Sequence, residues 1–141
     1  MILPDINVLI YAFRSDSNRH GEYKEWLEDT VNGSEAYGMS PQVLSGFLRI
    51  CTHPRIFLQP SALETAMRFC RALLERPNAT LITPQERHWD IFETLCRDSK
   101  ATGNILQDAW FAALAIETGC EWITTDRDFA RFDGLRWRAP L

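Results

Sequence analysis

The sequence predicts an α/β fold in which a short parallel sheet is wrapped by helices. Short apolar runs alternate with longer stretches whose apolar residues recur at helical spacing. No hairpin signal separates neighbouring strands before the C-terminal end, and such strand–helix alternation is what builds parallel sheets. The 141 residues are 45% apolar and 24% charged, enough for one core and one domain over 1–141.

Met1–Pro4 reads as a short buried strand, with Asp5 as N-cap of a helix running to Phe13. Arg14–Asn18 is a polar loop. A second helix spans Arg19 to about Asn32, with Tyr23, Trp26, Leu27 and Val31 on one face and Asn32-Gly33 ending it. Ala36–Met39 is a strand. Ser40-Pro41 opens a third helix, serine as cap and proline in the first turn. Its apolar face is Val43, Leu44, Phe47, Leu48 and Cys51, and His53-Pro54 breaks it.

Ser61-Ala62-Leu63-Glu64 has the capping-box pattern and opens a fourth helix to about Arg76. Leu63, Ala66, Met67, Cys70, Leu73 and Leu74 supply its apolar spacing. Pro77-Asn78 turns the chain into a strand at Thr80–Ile82. Thr83-Pro84-Gln85-Glu86 repeats the capping pattern before a fifth helix that carries Trp89, Ile91, Phe92 and Leu95 to about Asp98. After a polar loop at Ser99–Gly103, a helix beginning at Asn104 or Leu106 runs to Thr118 and closes at Gly119. Glu121–Thr124 is a buried strand and Asp126–Phe132 a short helical turn. Asp133-Gly134 turns into a last strand at Leu135–Trp137.

Several classes of function are excluded or disfavoured. No apolar run reaches the ~18 residues of a membrane span. The N-terminal stretch is interrupted by Asp5 and Asn7 with no basic region before it, so it makes a poor signal peptide and a cytoplasmic location is expected. Cys51, Cys70, Cys96 and Cys120 are scattered and read as reduced thiols. His20, His53 and His88 form no ligand spacing. There is no Gly-rich phosphate loop, and no Ser-His-Asp or Cys-His arrangement is evident. A net charge of −4 argues against a protein that coats nucleic acid. It leaves room for a nuclease, because a metal centre concentrates acid. Arginine outnumbers lysine thirteen to two, which suits two-point phosphate contacts and equally reflects codon bias.

Three aspartates stand out. Asp5 directly follows the first strand and Asp126 the strand at Glu121–Thr124. In an open parallel sheet both emerge at the carboxyl edge, where ligands bind. Asp108 lies near the start of a helix kept thin by Ala109, Ala112, Ala113 and Ala115, which lets it approach the sheet. Each has a local explanation, as an N-cap or as a charge favoured by a helix N-terminus. All three at one edge point further. Gathered carboxylates repel, and a hard cation such as Mg²⁺ binds a few of them while keeping room for water and phosphate.

Taken in order, Asp5-Ile6-Asn7-Val8-Leu9-Ile10-Tyr11-Ala12, Phe47-Leu48-Arg49-Ile50, Gly103-Asn104, Asp108-Ala109 through Glu117, Thr125-Asp126-Arg127-Asp128-Phe129 and Gly134-Leu135-Arg136-Trp137 resemble a PIN-domain ribonuclease. The likeness is close to the VapC toxins of bacterial VapBC toxin–antitoxin modules and covers nearly the whole chain. It implies a three-layer α/β/α fold and Mg²⁺- or Mn²⁺-dependent hydrolysis of RNA phosphodiesters. Asp5, Asp108 and Asp126 occupy the family's catalytic and metal positions. A cognate VapB-like antitoxin and a homodimer are implied as well. Arg49, Asn7 and Thr125 are candidate contacts to substrate or antitoxin, and Thr124 a candidate partner of a carboxylate.

The chain departs from the family pattern at Gly46, where a glutamate usually precedes Phe-Leu-Arg. Three arrangements are open: one ion on Asp5 and Asp108 with added water, Asp128 supplying the missing charge, or a catalytically weak module that only binds RNA or antitoxin. The first is favoured, with Gly46 widening the pocket or admitting a water. A haloacid-dehalogenase-type phosphatase also begins with an aspartate after a strand, but it needs a second acid where Asn7 stands.

Overall fold

The computed structural model describes residues 1–141, with five strands and six α-helices. The strands are β1 (Ile2–Pro4), β2 (Tyr37–Met39), β3 (Ala79–Leu81), β4 (Glu121–Ile123) and β5 (Trp137–Arg138). They form one sheet in the order β3-β2-β1-β4-β5, every neighbouring pair parallel. Ile2 stands opposite both Tyr37 and Glu121, Leu3 opposite Trp122 and Pro4 opposite Ile123. The ladder runs one step further, where the Asp5 N–H donates to the Ile123 carbonyl at 2.8 Å.

Leu3, Tyr37, Met39, Trp122 and Ile123 are buried on a sheet whose side chains alternate in direction. Burial of successive residues means cover on both faces, the usual condition of parallel strands and the middle layer of an α/β/α arrangement. The edge strand β3 and the end of β5 stand partly in solvent. The chain moves outward from β1 through β2 to β3, then returns past β1 to lay down β4 and β5. The order therefore reverses at β1, and the crevice beyond the carboxyl ends of β1 and β4 is where such sheets bind ligands.

The helices are α1 (Ile6–Phe13), α2 (His20–Asn32), α3 (Pro41–Cys51), α4 (Leu63–Leu74), α5 (His88–Ser99) and α6 (Asn104–Thr118). α1 packs on α2 and α3, α3 on α4, and α5 on α6. Ser40 caps α3 as its position predicts, accepting from the N–H groups of Gln42 and Val43. In α6, Ala109, Ala112, Ala113 and Ala115 are buried, so the helix lies close to its neighbours. It ends at Gly119, whose φ of +69° is the left-handed C-cap expected there.

Two predicted capping boxes do not form. α4 begins at Leu63 without a side-chain cap, because Ser61 Oγ accepts from Arg14 Nη1 at 2.9 Å instead. Arg14 is buried. It also donates to Asp16 and to the Gln59 carbonyl, and its guanidinium lies 3.7 Å from the centre of the Phe57 ring. α5 begins at His88 rather than in the Thr83–Glu86 stretch, because Glu117 reaches over from α6 to accept from the N–H groups of Gln85 (2.7 Å) and Arg87 (2.8 Å). α4 stops at Leu74, two residues before the predicted end, and Leu63 and Met67 stand exposed. β3 lies one residue earlier than predicted. β5 begins two residues later, where it runs parallel to β4.

All four cysteines are free. Burial pushes the Cys51 and Cys70 thiols up to about 11, which makes them poor nucleophiles. His88 is buried and pairs with the Trp110 carbonyl. No helix is long and apolar enough to cross a membrane.

Candidate active site

Asp5 ends β1 and N-caps α1. Its Oδ1 accepts from the Ile6 N–H at 2.6 Å. Its Oδ2 accepts from the Thr124 hydroxyl at 2.7 Å and from Asn7 Nδ2 at 3.2 Å. Thr124 is fully buried just past β4, and the same hydroxyl oxygen accepts from the Asp126 N–H at 3.0 Å. One side chain therefore joins the residue after β1 to the loop after β4. Asn7 strengthens that joint: its amide nitrogen lies 3.4 Å from Thr124 Oγ1, and its oxygen accepts from the Thr125 N–H at 3.5 Å. Thr125 takes part through its backbone. Asp126 caps the short 3-10 turn at Arg127–Arg131, its Oδ1 accepting from the Asp128 N–H at 2.9 Å.

The electrostatics follow from this geometry. Burial, with the nearby charges of Asp108 and Asp126 adding to it, raises Asp5 from the usual carboxylate range to about 6. The Thr124 and Ile6 hydrogen bonds oppose that rise without cancelling it. Asp108 is also raised, by burial first and then by Asp126, with Arg131 opposing. It is half-buried and accepts no hydrogen bond from the chain. The three aspartates thus sense one another's charge across three elements. They are not drawn tightly enough for three acidic, histidine or cysteine side chains to enclose one ion. Asp128 is exposed and lies 3.8 Å from Arg131, so part of its charge is answered there.

Ile6 lies where the missing acid would begin. A Cβ built on Gly46 would stand 2.4 Å from Cδ1 of Ile6 and 3.3 Å from its Cγ1. The side chain next to Asp5 occupies the volume where a residue-46 side chain would begin, so a methyl group rather than a water fills that space. Gly46 and Ile6 border a groove shared with Arg49, which is exposed and unpaired.

A five-stranded parallel α/β/α fold with acidic residues beyond the carboxyl ends of its central strands defines a class. Residues 2–135 match the PIN domain family. The chain belongs to that family, and within it to the VapC ribonucleases. It is 43% identical to ribonuclease VapC43 of Mycobacterium tuberculosis over 100% of this chain and 96% of that one. It is 38% identical to ribonuclease VapC33 of the same organism, over 100% and 99%. Its fold resembles the structure of VapBC2 from Rickettsia felis bound to a DNA fragment from their promoter. That match has a TM-score of 0.71 at 18% identity and covers 99% of this chain and 98% of that chain.

Proposed function

We propose that this chain, as one PIN domain over 1–141, is the toxic component of a type II toxin–antitoxin pair. It hydrolyses RNA phosphodiester bonds in the cytoplasm and is held inactive by a cognate antitoxin. The observation that carries this reading is the Thr124 bridge, which ties Asp5 to the Asp126 loop at the point where the strand order reverses. Full-length similarity to proteins named ribonucleases favours it over a module that only binds. The VapBC character of the structural neighbour supports the antitoxin partner. A homodimer completes the reading, and sedimentation of the purified chain checks it.

An all-oxygen set of carboxylates suits a hard divalent cation, Mg²⁺ or Mn²⁺, completed by water. Asp5 and Asp108 would hold it. When bound, such an ion polarises a phosphate oxygen and lowers the pKa of water. Hydrolysis joins a water oxygen to phosphorus and breaks one P–O ester bond, and the departing oxygen takes a proton. Asp126, with one oxygen committed to its own turn, orients the attacking water with the other. Thr124 and Asn7 hold the Asp5 carboxylate in place, and Arg49 lies where it can meet the RNA backbone.

Induced expression is expected to arrest growth, and Asp5→Asn and Asp108→Asn are expected to abolish both the arrest and RNA cleavage in vitro. Variants that stay fully toxic would remove the carboxylates from the mechanism. Chelation by EDTA should stop cleavage, and added Mg²⁺ or Mn²⁺ should restore it.

A further inference from the structure

The groove beside the carboxylates has a composition that phosphodiester hydrolysis alone does not require. It encloses about 390 Å³, within the range of clefts that take a small ligand. Ile6 gives it apolar surface over the buried Phe111, Gln42, Asn104 and Gln107 bring three carboxamides, and Arg49 brings one guanidinium. No acidic residue lines it, although the chain carries 19 of them. Its polar groups are unspent. Arg49, Asn104 and Gln107 make no side-chain hydrogen bond or ion pair within the chain, whereas Arg14, Arg19, Arg97 and Arg138 are all paired with acids. Gln42 uses only its oxygen, which accepts from the Trp110 indole N–H. That contact fixes the sense of the amide and leaves its NH2 free to donate.

Carboxamides present a donor and an acceptor side by side, the pattern that pairs with the polar edge of a nucleobase. A base also has apolar faces, one of which the half-buried Ile6 can meet, and it offers its edge only when unpaired. A guanidinium without an acidic partner suits a phosphate. The place fits as well, because Ile6 and Gln107 are the chain neighbours of Asp5 and Asp108. We propose that this groove takes the unpaired nucleotide next to the scissile phosphate, with Gln42, Asn104 and Gln107 reading its base edge and Arg49 holding its phosphate. This rests on the ribonuclease reading above and adds a source of base preference to it.

The test is fluorescence anisotropy of a short labelled single-stranded RNA of mixed sequence, in EDTA so that nothing is cleaved. The proteins are the wild type, Asn104→Ala, Gln107→Ala and Arg49→Ala, with Arg97→Ala on α5 as control. Each groove variant is expected to weaken binding about tenfold, the loss expected for one two-point contact. Arg97→Ala should bind like the wild type, and the same sequence as a duplex should bind no better to wild type than to the variants. The proposal is overturned if groove variants match wild type, if single-stranded RNA does not bind, or if the variants lose only a co-expressed antitoxin. Cleavage by the wild type with Mg²⁺ or Mn²⁺ is scored separately. Groove-dependent binding without cleavage sinks the ribonuclease reading alone. Cleavage that the groove variants leave unchanged in rate and base preference sinks the groove alone.

Discussion

Thr124 is the residue on which the site's geometry turns. Its hydroxyl donates to Asp5 and accepts from the Asp126 N–H inside a fully buried position. Thr124→Val keeps the shape and removes both contacts. Leaving the buried Asp5 acceptor and the half-buried Asp126 N–H short of partners costs about 1–3 kcal/mol. The lost hydrogen bond had been lowering the Asp5 pKa, so the acid limb of the pH–rate profile should move to higher pH. Thr124→Ser should restore both, as read by urea unfolding and by that profile. Gly46 offers a second measurement at this scale. Replacing a helical glycine by alanine gains about 1 kcal/mol, but the new Cβ would meet Ile6 Cδ1 at 2.4 Å. Turning that methyl aside costs about the same. Gly46→Ala alone should therefore be nearly neutral, and in an Ile6→Val background, where Cδ1 is gone, it should stabilise. A double-mutant cycle with no coupling would show that the two residues do not share this space.

Helix boundaries separate what is legible in the sequence from what is not. Ser40-Pro41 and Asp5 set helix starts from local chemistry alone, and the structure agrees with both. Ser61 and Thr83 carry the same kind of signal and fail, because a distant side chain takes over in each case. Arg14 claims Ser61 from 47 residues away, and Glu117 caps the approach to α5 from 30 and 32 residues away. Glu117→Ala should therefore cost about 1–2 kcal/mol and speed amide exchange at Gln85 and Arg87, while Thr83→Ala should cost less than about 0.5 kcal/mol. The same division runs through the site. Asp5 and Asp126 are readable at the carboxyl edge because each directly follows a strand of a parallel sheet. The Thr124 bridge and the fit of Ile6 over Gly46 depend on contacts between elements, which no local pattern encodes.

At the scale of the whole molecule, the site works against stability. Asp5 titrates near 6 when folded and near 3.8 when free, so folding favours its protonated form. Its contribution is fully present below pH 4 and is lost as pH rises through 6. The loss is about 3 kcal/mol at most, on a fold whose total is of order 5–15 kcal/mol. In EDTA, the wild type should lose that stability relative to Asp5→Asn between pH 4 and pH 7.5, as measured by urea unfolding. Divalent cation should recover more of it at pH 7.5 than at pH 5, because a carboxylate must give up its proton to hold a metal. Parallel pH curves for the two proteins would show that Asp5 is not buried at this cost.

The central place of β1 gives the proposed toxin a timing. The strand is made well before β4, one of its two neighbours in the sheet. Asp5 meets Thr124 across 119 residues of chain. At roughly 5–20 residues per second, that is about 6–24 s of synthesis in which the first carboxylate waits without the hydroxyl that positions it. A chain stalled or cut anywhere before β4 has no Asp126 and no bridge. Termination between β1 and β4 therefore leaves Asp5 without its hydroxyl partner, and the carboxylates come together only once Asp126 has been made.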